Sequence, residues 1–267
     1  MQLIKMILMS MPFMFWAKPK PVKNGQDPFA ICYGKVSAES IDGFSIAILE
    51  SGHYTAKEVS VLKTVNSNLI AYLSLTEVNV NSSLFKQLKP FCYQKTENWD
   101  SYTINIDSKE AQDIIIDYAK HILAKGFDGL FLDNLDNTNQ WGKLAHQKQS
   151  METLIYRLKE EIGDRILIQN GGLHLDDKIQ KLTDYLLVES IATEYDFSQK
   201  QYRIRPYKSF QERKRLVTTM QKDYYKKLLI VEYANNQDHK NVIHKRIDDL
   251  KGGLFITTID LQKIPKQ

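Results

Sequence analysis

The chain has 267 residues, of which 43% are apolar types and 25% are charged, with 12 Gly and 7 Pro. That balance is the composition of a folded globular protein and excludes disordered, collagen-like and low-complexity chains. The formal charge of +4, from 36 basic and 32 acidic residues, is too small and too scattered to argue for a nucleic-acid partner.

The first segment carries Lys5 and then the apolar run Met6–Ala17. A run of twelve is shorter than the roughly 20 residues that span a bilayer, and it fits the apolar part of a secretory signal over residues 1–17. Bulky Phe15 stands where a signal cleavage site prefers a small residue, so an uncleaved N-terminal anchor is the alternative. Residues 18–28 read as a Pro-rich linker, which leaves 29–267 for a single folded domain. The expected location is secreted, periplasmic or cell-envelope associated, with no integral membrane span beyond such an anchor. Cys32 and Cys92 lie sixty residues apart, in no metal-ligand spacing, and read either as a pair or as two buried thiols.

From there, short apolar runs recur. They are Phe44–Leu49, Leu69–Ser74, Tyr102–Ile106, Gly129–Asp133, Ile166–Gln169, Tyr185–Glu189, Leu228–Tyr233 and Gly253–Thr257. Continuous apolar runs suit strands buried on both faces of a parallel sheet, and their ends advance by about 30 residues per step, the size of one strand–helix unit. Helical spacing fills the gaps. Lys109–Lys125 carries Ile114, Ile115, Tyr118, Ile122 and Leu123, with Ser108 as N-cap and Gly126 as stop. A second helix is marked by Met151, Leu154, Ile155 and Leu158, and two more cover Ser209–Lys227 and Gln237–Lys251. Eight such units predict an α/β fold, a (β/α)8 TIM barrel in one domain. An open doubly wound sheet is the runner-up, but neither a GxGxxG nor a GxxxxGK[ST] sequence occurs.

Barrel active sites lie at the C-terminal ends of the strands. Read in order, those ends carry Glu50, then Ser74 and Glu77, then Asp107, then Asp133 with Asn134 and Asp136. They continue with Gln169 and Asn170, Glu189 and Ser190, Glu232 and Tyr233, and finally Thr257 and Asp260. Any one carboxylate could be a helix cap or half of an ion pair. Glu50, Glu77, Asp133, Glu189 and Glu232 gathered at one mouth are costly to bury without a task. Two carboxyl groups across a sugar ring are what glycoside hydrolysis needs, one to protonate the leaving oxygen and one to act at the anomeric carbon. The six His form no HxH or HExxH pair, so no metal and no cofactor are expected. His53 and His174 fall in loops that could line the site. Trp99 and Trp141 fall in loops where an indole either stacks on a sugar or packs under the chain.

The segment GFDGLFLDNLDN (Gly126–Asn137) resembles the signature of glycoside hydrolase family 114, the endo-α-1,4-polygalactosaminidase-like barrels related to spherulin-type proteins. FSIAILES, IAYLSLTE, ILIQNGG, LLVES and LIVEYA resemble further strands of that family in the same order. The resemblance implies a glycosidase that acts on an α-linked amino-sugar polysaccharide. It implies Asp133 as nucleophile and Glu189 as general acid/base in a retaining mechanism. It implies Asn134, Asp136, Asn170 and Tyr233 as residues that hold the sugar, and the acidic ring adds Glu50, Glu77 and Glu232 as expected substrate-binding residues. Three positions depart from the family pattern: Glu50 and Glu232 stand where Asp is common, and Thr76 replaces a Gly before Glu77. The loop after Glu189 carries Arg203, Arg205 and Lys208, which either meet an anionic glycan or face solvent. The expected partner is a polysaccharide substrate, met by a monomer. A non-catalytic carbohydrate-binding barrel and a metal-dependent barrel hydrolase are the alternatives.

Overall fold

The computed structural model describes residues 28–96 and 99–265. Of the signal and linker expected over 1–28, residues 1–27 lie outside the described residues. Among the described residues no helix is long and apolar enough to cross a membrane.

Eight parallel strands form one sheet in chain order: β1 (Phe29–Cys32), β2 (Ile46–Leu49), β3 (Leu69–Ser74), β4 (Gly129–Asp133), β5 (Ile166–Asn170), β6 (Tyr185–Glu189), β7 (Lys227–Tyr233) and β8 (Gly252–Thr257). The helices between them include α1 (Ala38–Ile41), α2 (Ala56–Leu62), α3 (Lys109–Ala124), α4 (Lys148–Ile162), α5 (Asp177–Gln180), α6 (Tyr207–Tyr224) and α7 (Gln237–Ile247), with a further short helix at Phe85–Leu88 in the β3–α3 connection. The sheet curls until its two edges meet. The Tyr33 N–H donates to the Leu261 carbonyl at 2.7 Å, and the Phe29 and Phe255 rings lie 5.9 Å apart across the seam. The result is a (β/α)8 barrel.

Alternate residues along each strand fill the barrel interior: Phe29 and Ile31, Ile46 and Ile48, Ile70, Phe131, Ile168, Leu187, Leu229 and Val231, Phe255. Their neighbours face the helices, where Ile115, Ala119 and Ile122 of α3 and Met151, Leu154 and Leu158 of α4 cover Leu69, Leu130, Leu132 and Leu167. Each fully buried aliphatic or aromatic side chain contributes roughly 1.5–3 kcal/mol, so the two layers together supply the main drive for closure. The predicted N-cap of α3 is in place, with the Ser108 hydroxyl accepting from the Ala111 N–H at 3.3 Å. A capping box opens α2, where Thr55 accepts from the Glu58 N–H at 3.3 Å and Glu58 from the Thr55 N–H at 2.8 Å.

One expected barrel strand is replaced by another. The run Tyr102–Ile106 is not in the barrel. Its strand, Ser101–Ile104, pairs antiparallel with Glu77–Asn79 and Cys92–Lys95 in a three-stranded sheet within the β3–α3 connection. Its alternation of Tyr102, Ile104 and Ile106 with Thr103 and Asn105 already set it apart from the continuous runs. The missing member is β1, only four residues long and placed directly after the Pro-rich segment. Cys32 and Cys92 are free thiols.

Candidate active site

The barrel register decides which polar residues meet. Each interior row of apolar side chains ends, two residues later, in a polar or aromatic one. Ile31 leads to Tyr33, Ile48 to Glu50, Ile70 to Tyr72, Phe131 to Asp133, Ile168 to Asn170, Leu187 to Glu189 and Val231 to Tyr233. All seven line one cleft of about 1670 Å³ at the C-terminal mouth. Asp107, expected at a strand end, belongs instead to the turn before α3, where it accepts from the Ser150 hydroxyl at 2.5 Å.

Asp133 and Glu189 are joined through one amide. The Asn170 Nδ2 donates to Asp133 Oδ1 at 2.8 Å and to Glu189 Oε1 at 2.7 Å. Since both oxygens bond to the same nitrogen, they are at most the sum of those bonds, 5.5 Å, apart. The Tyr233 hydroxyl donates to the other oxygen of Glu189, and Tyr72 and the Asn134 N–H donate to Asp133. Both acids are followed by a residue in the left-handed region, Asn134 at φ 62° and Ser190 at φ 56°. That abrupt change of direction leaves each carboxyl at the end of its strand, and it is a form of backbone strain that collects at sites.

Burial raises the pKa of both acids. For Glu189 the charge of Asp133 adds to burial, and the Tyr233 and Asn170 donors oppose them. For Asp133 the opposing donors are three, from Asn170, the Asn134 N–H and Tyr72. Each acid is thus held up by burial, and the charge of Asp133 adds to it at Glu189, an arrangement that disfavours ionising both like groups at once. Tyr33 and Tyr72, packed edge to face at 4.8 Å, are raised well above the ordinary phenol range by burial and by Asp133, and so stay neutral donors.

Around this centre stand the other expected residues. Asn134 donates through its side chain to the Ser74 hydroxyl at 2.9 Å, and its carbonyl accepts from Thr76 at 2.8 Å, so the Thr that replaces Gly pins the β4 turn. Asp136 Oδ1 accepts from the Gly172 N–H at 3.0 Å. Gly171 sits at φ 63° under the same carboxylate, where a Cβ would lie 2.5 Å from Asp136 Oδ2. Glu50 and Glu77 face the cleft, both raised chiefly by burial, with Glu77 held by Asn137 at 3.0 Å. His53 bonds the Tyr33 carbonyl at 2.9 Å, and His174 lies 3.1 Å from the Thr138 hydroxyl. Arg203 and Arg205 pair with Asp196 and Glu194 at 2.9 and 3.0 Å, within the hairpin of Thr193–Asp196 and Gln201–Ile204. Among the described residues no three His, Cys, Asp or Glu side chains come together as a metal set.

Glu232 is placed elsewhere. In β7 the interior row is Leu229, Val231 and Tyr233, so Glu232 points outward with Leu228 and Ile230. It is 0% exposed and accepts from the Ala192 N–H at 2.6 Å and from the Thr193 N–H and hydroxyl at 3.0 and 2.6 Å. Its role is to fix the turn after Glu189. Tyr33, Tyr72 and Asn137 join the site without having been expected there. For the two tyrosines the signal was the alternation itself, once the strand faces are known.

Over residues 14–263 the chain matches the sequence model of glycoside-hydrolase family GH114. An uncharacterized protein of Methanocaldococcus jannaschii is 25% identical over 220 residues, covering 75% of this chain and 62% of that protein. An uncharacterized protein of Thermotoga maritima is 23% identical over 163 residues, covering 51% of this chain and 50% of that one. The chain thus spans half to about two thirds of the length of these curated relatives. Two solved structures share the fold. The glycoside hydrolase domain of PelA from Pseudomonas aeruginosa matches with a TM-score of 0.78 at 20% identity, over 89% of this chain and 96% of that one. Ega3 from Aspergillus fumigatus, in complex with galactosamine, matches with a TM-score of 0.73 at 14% identity, over 93% and 98%. The family match runs through all eight strands and both acids at the barrel mouth, and on that extent the chain belongs to glycoside-hydrolase family GH114.

Proposed function

We propose that this protein is a glycosidase that cleaves an α-linked amino-sugar polysaccharide, of the polygalactosamine type, by a retaining two-carboxylate mechanism. The observation that carries the reading is the Asn170 bridge, which caps the facing oxygens of Asp133 and Glu189 at the sum of its two bonds, 5.5 Å. Retaining enzymes hold their carboxyl groups about 5–5.5 Å apart, whereas inverting ones leave about 6.5–9.5 Å for a water. In the first step Asp133 attacks the anomeric carbon, and Glu189 gives its proton to the departing glycosidic oxygen. In the second, Glu189 takes a proton from water as that water displaces Asp133 from the sugar.

Substrate class follows from charge and from likeness. Glu50, Glu77 and Asp136 line the cleft around the acid pair, which suits a cationic amino sugar. The fold relative Ega3 was solved with galactosamine, which makes that sugar the first to try. The charged start and apolar run of residues 1–17 support an exported enzyme. The test is a panel of amino-sugar polymers, with proton NMR of the anomeric signal during early turnover. An α product formed first supports retention, and a β product overturns it. Activity that survives in Asp133→Asn overturns the assignment of the acid pair.

A further inference from the structure

The β4–α4 connection does more than carry Asp136. Beyond it the chain makes a tight turn whose tip is Trp141, 88% exposed. The turn is built. Asn139 Oδ1 accepts from the Trp141 N–H at 2.7 Å, and the Gly142 N–H donates to the Asn139 carbonyl at 2.8 Å. The Leu144 N–H then donates to the Asn137 carbonyl at 2.8 Å. A Cβ at Gly142 would lie 2.2 Å from that same carbonyl, so only Gly lets the two segments approach. An indole held in water by such a turn is not packed under a loop, and burying it against a partner surface removes a large apolar area from water.

Beside the indole is a depression of about 570 Å³, with Thr138, Gln140, Lys148 and His174 in its lining. Asn139 and His174 line both this depression and the cleft that holds Asp133 and Glu189, so the two adjoin at these residues. Lys148 is paired with Asp176 at 2.5 Å and with Glu152 at 3.0 Å, which neutralises its charge. The Thr138 hydroxyl is buried and bonds the Leu135 carbonyl and His174, which fixes the imidazole. An aromatic face edged by the Gln140 amide and the His174 imidazole is the chemistry that recognises a pyranose ring, whose C–H face meets the indole while its hydroxyls meet the rim.

We propose that Trp141 and this depression form a distal sugar subsite, which holds a glycan that runs out of the cleft past Asn139 and His174. The proposal rests on the reading of the cleft as a glycan-cleaving site. It adds that the enzyme engages a chain longer than the cleft alone. The test uses galactosamine oligosaccharides of graded length and the α-1,4-linked galactosamine polymer. In Trp141→Ala the ratio of kcat/KM on the longest to the shortest cleaved substrate falls about tenfold, mainly through KM, and Trp141→Phe recovers most of it. Thermal melts of both variants match the wild type, since the side chain is exposed. An unchanged ratio in Trp141→Ala overturns the proposal. A binding arm is read apart from turnover, with Trp99 of the cleft lining removed throughout by Trp99→Phe: titration with the polymer quenches tryptophan fluorescence, and adding Trp141→Ala loses that quench. If the wild type cleaves nothing in the panel, the reading of the cleft fails, and the binding arm alone decides the subsite: quench lost with Trp141 supports it, and quench absent with Trp141 in place overturns it.

Discussion

A single side-chain amide spans the two acids of the site. The Asn170 Nδ2 carries two hydrogens and gives one to each carboxylate, so it orients both and favours the charged form of both. Removing it in Asn170→Ala raises both pKa values further, because burial then acts with fewer opposing donors. Both limbs of the pH profile of kcat/KM are therefore expected to move to higher pH. A profile that keeps its position while falling in height would mean that Asn170 only contacts substrate. In the proposed mechanism Glu189→Gln removes the proton donor and is expected to lower kcat by about 100- to 10,000-fold, with a smaller loss on substrates that carry a good leaving group. Asp133, Glu189, Asn170 and Tyr233 were legible in the sequence, because strand ends in a barrel point at one place and the local motif marks them. Glu232 was misplaced for a physical reason. An uninterrupted apolar strand such as LLIVEY does not reveal which of its alternating faces is the interior, and Glu232 and Tyr233 take opposite ones.

Outward-facing Glu232 ties elements together. Its carboxylate takes two backbone N–H groups and one hydroxyl from Ala192 and Thr193. Arg246 of α7 donates to the Ala192 and Arg205 carbonyls at 3.1 and 2.6 Å, at the two feet of the hairpin that follows β6. The hairpin tip carries Phe197, whose ring meets Trp99 of the β3–α3 insertion at 6.1 Å, so two connections join above the cleft. Glu232→Gln turns one acceptor into a donor facing N–H groups. It is expected to cost about 1–3 kcal/mol of stability while leaving the far-ultraviolet circular dichroism unchanged. Its loss of activity should be smaller than that of Glu189→Gln, as it touches no cleft residue directly. These connections are what sequence periodicity describes least. The long helices α3, α4, α6 and α7 were expected within a few residues because they repeat an apolar stripe over several turns. The three-stranded insertion and the four-residue β1 have too few residues for a period to declare itself, and β1 gains its place from parallel pairing with β2 and from the closing contacts with Leu261 and Phe255.

At the scale of the molecule, acids buried at the mouth, and Glu232 buried behind it, set a cost that the fold carries. Glu50, Glu77, Asp133, Glu189 and Glu232 all have pKa values raised by burial. The folded state therefore holds more protons than the unfolded chain at pH values between the ordinary carboxylate range, about 4, and their raised values. Stability tied to these groups is fully present below that ordinary range and is lost as pH rises through the folded values. The less buried acids Glu58, Asp113, Asp176 and Asp196 act in the opposite sense. Hydrogen bonds and cations hold them low, Glu58 to about 2 through Lys35 and Thr55, and their contribution is lost only on acidification below the ordinary range. The two sets together place the stability maximum in mildly acidic solution, with a decline toward neutral pH. Denaturant unfolding of the wild type from pH 4 to pH 8 measures that slope directly. The double variant Asp133→Asn, Glu189→Gln removes two of the five buried carboxyl groups. It should be more stable than the wild type near pH 7, converge with it toward pH 4, and show a flatter dependence between. A double variant that is less stable than the wild type at pH 7 would mean that the pair, bridged by Asn170, holds the barrel mouth together rather than straining it.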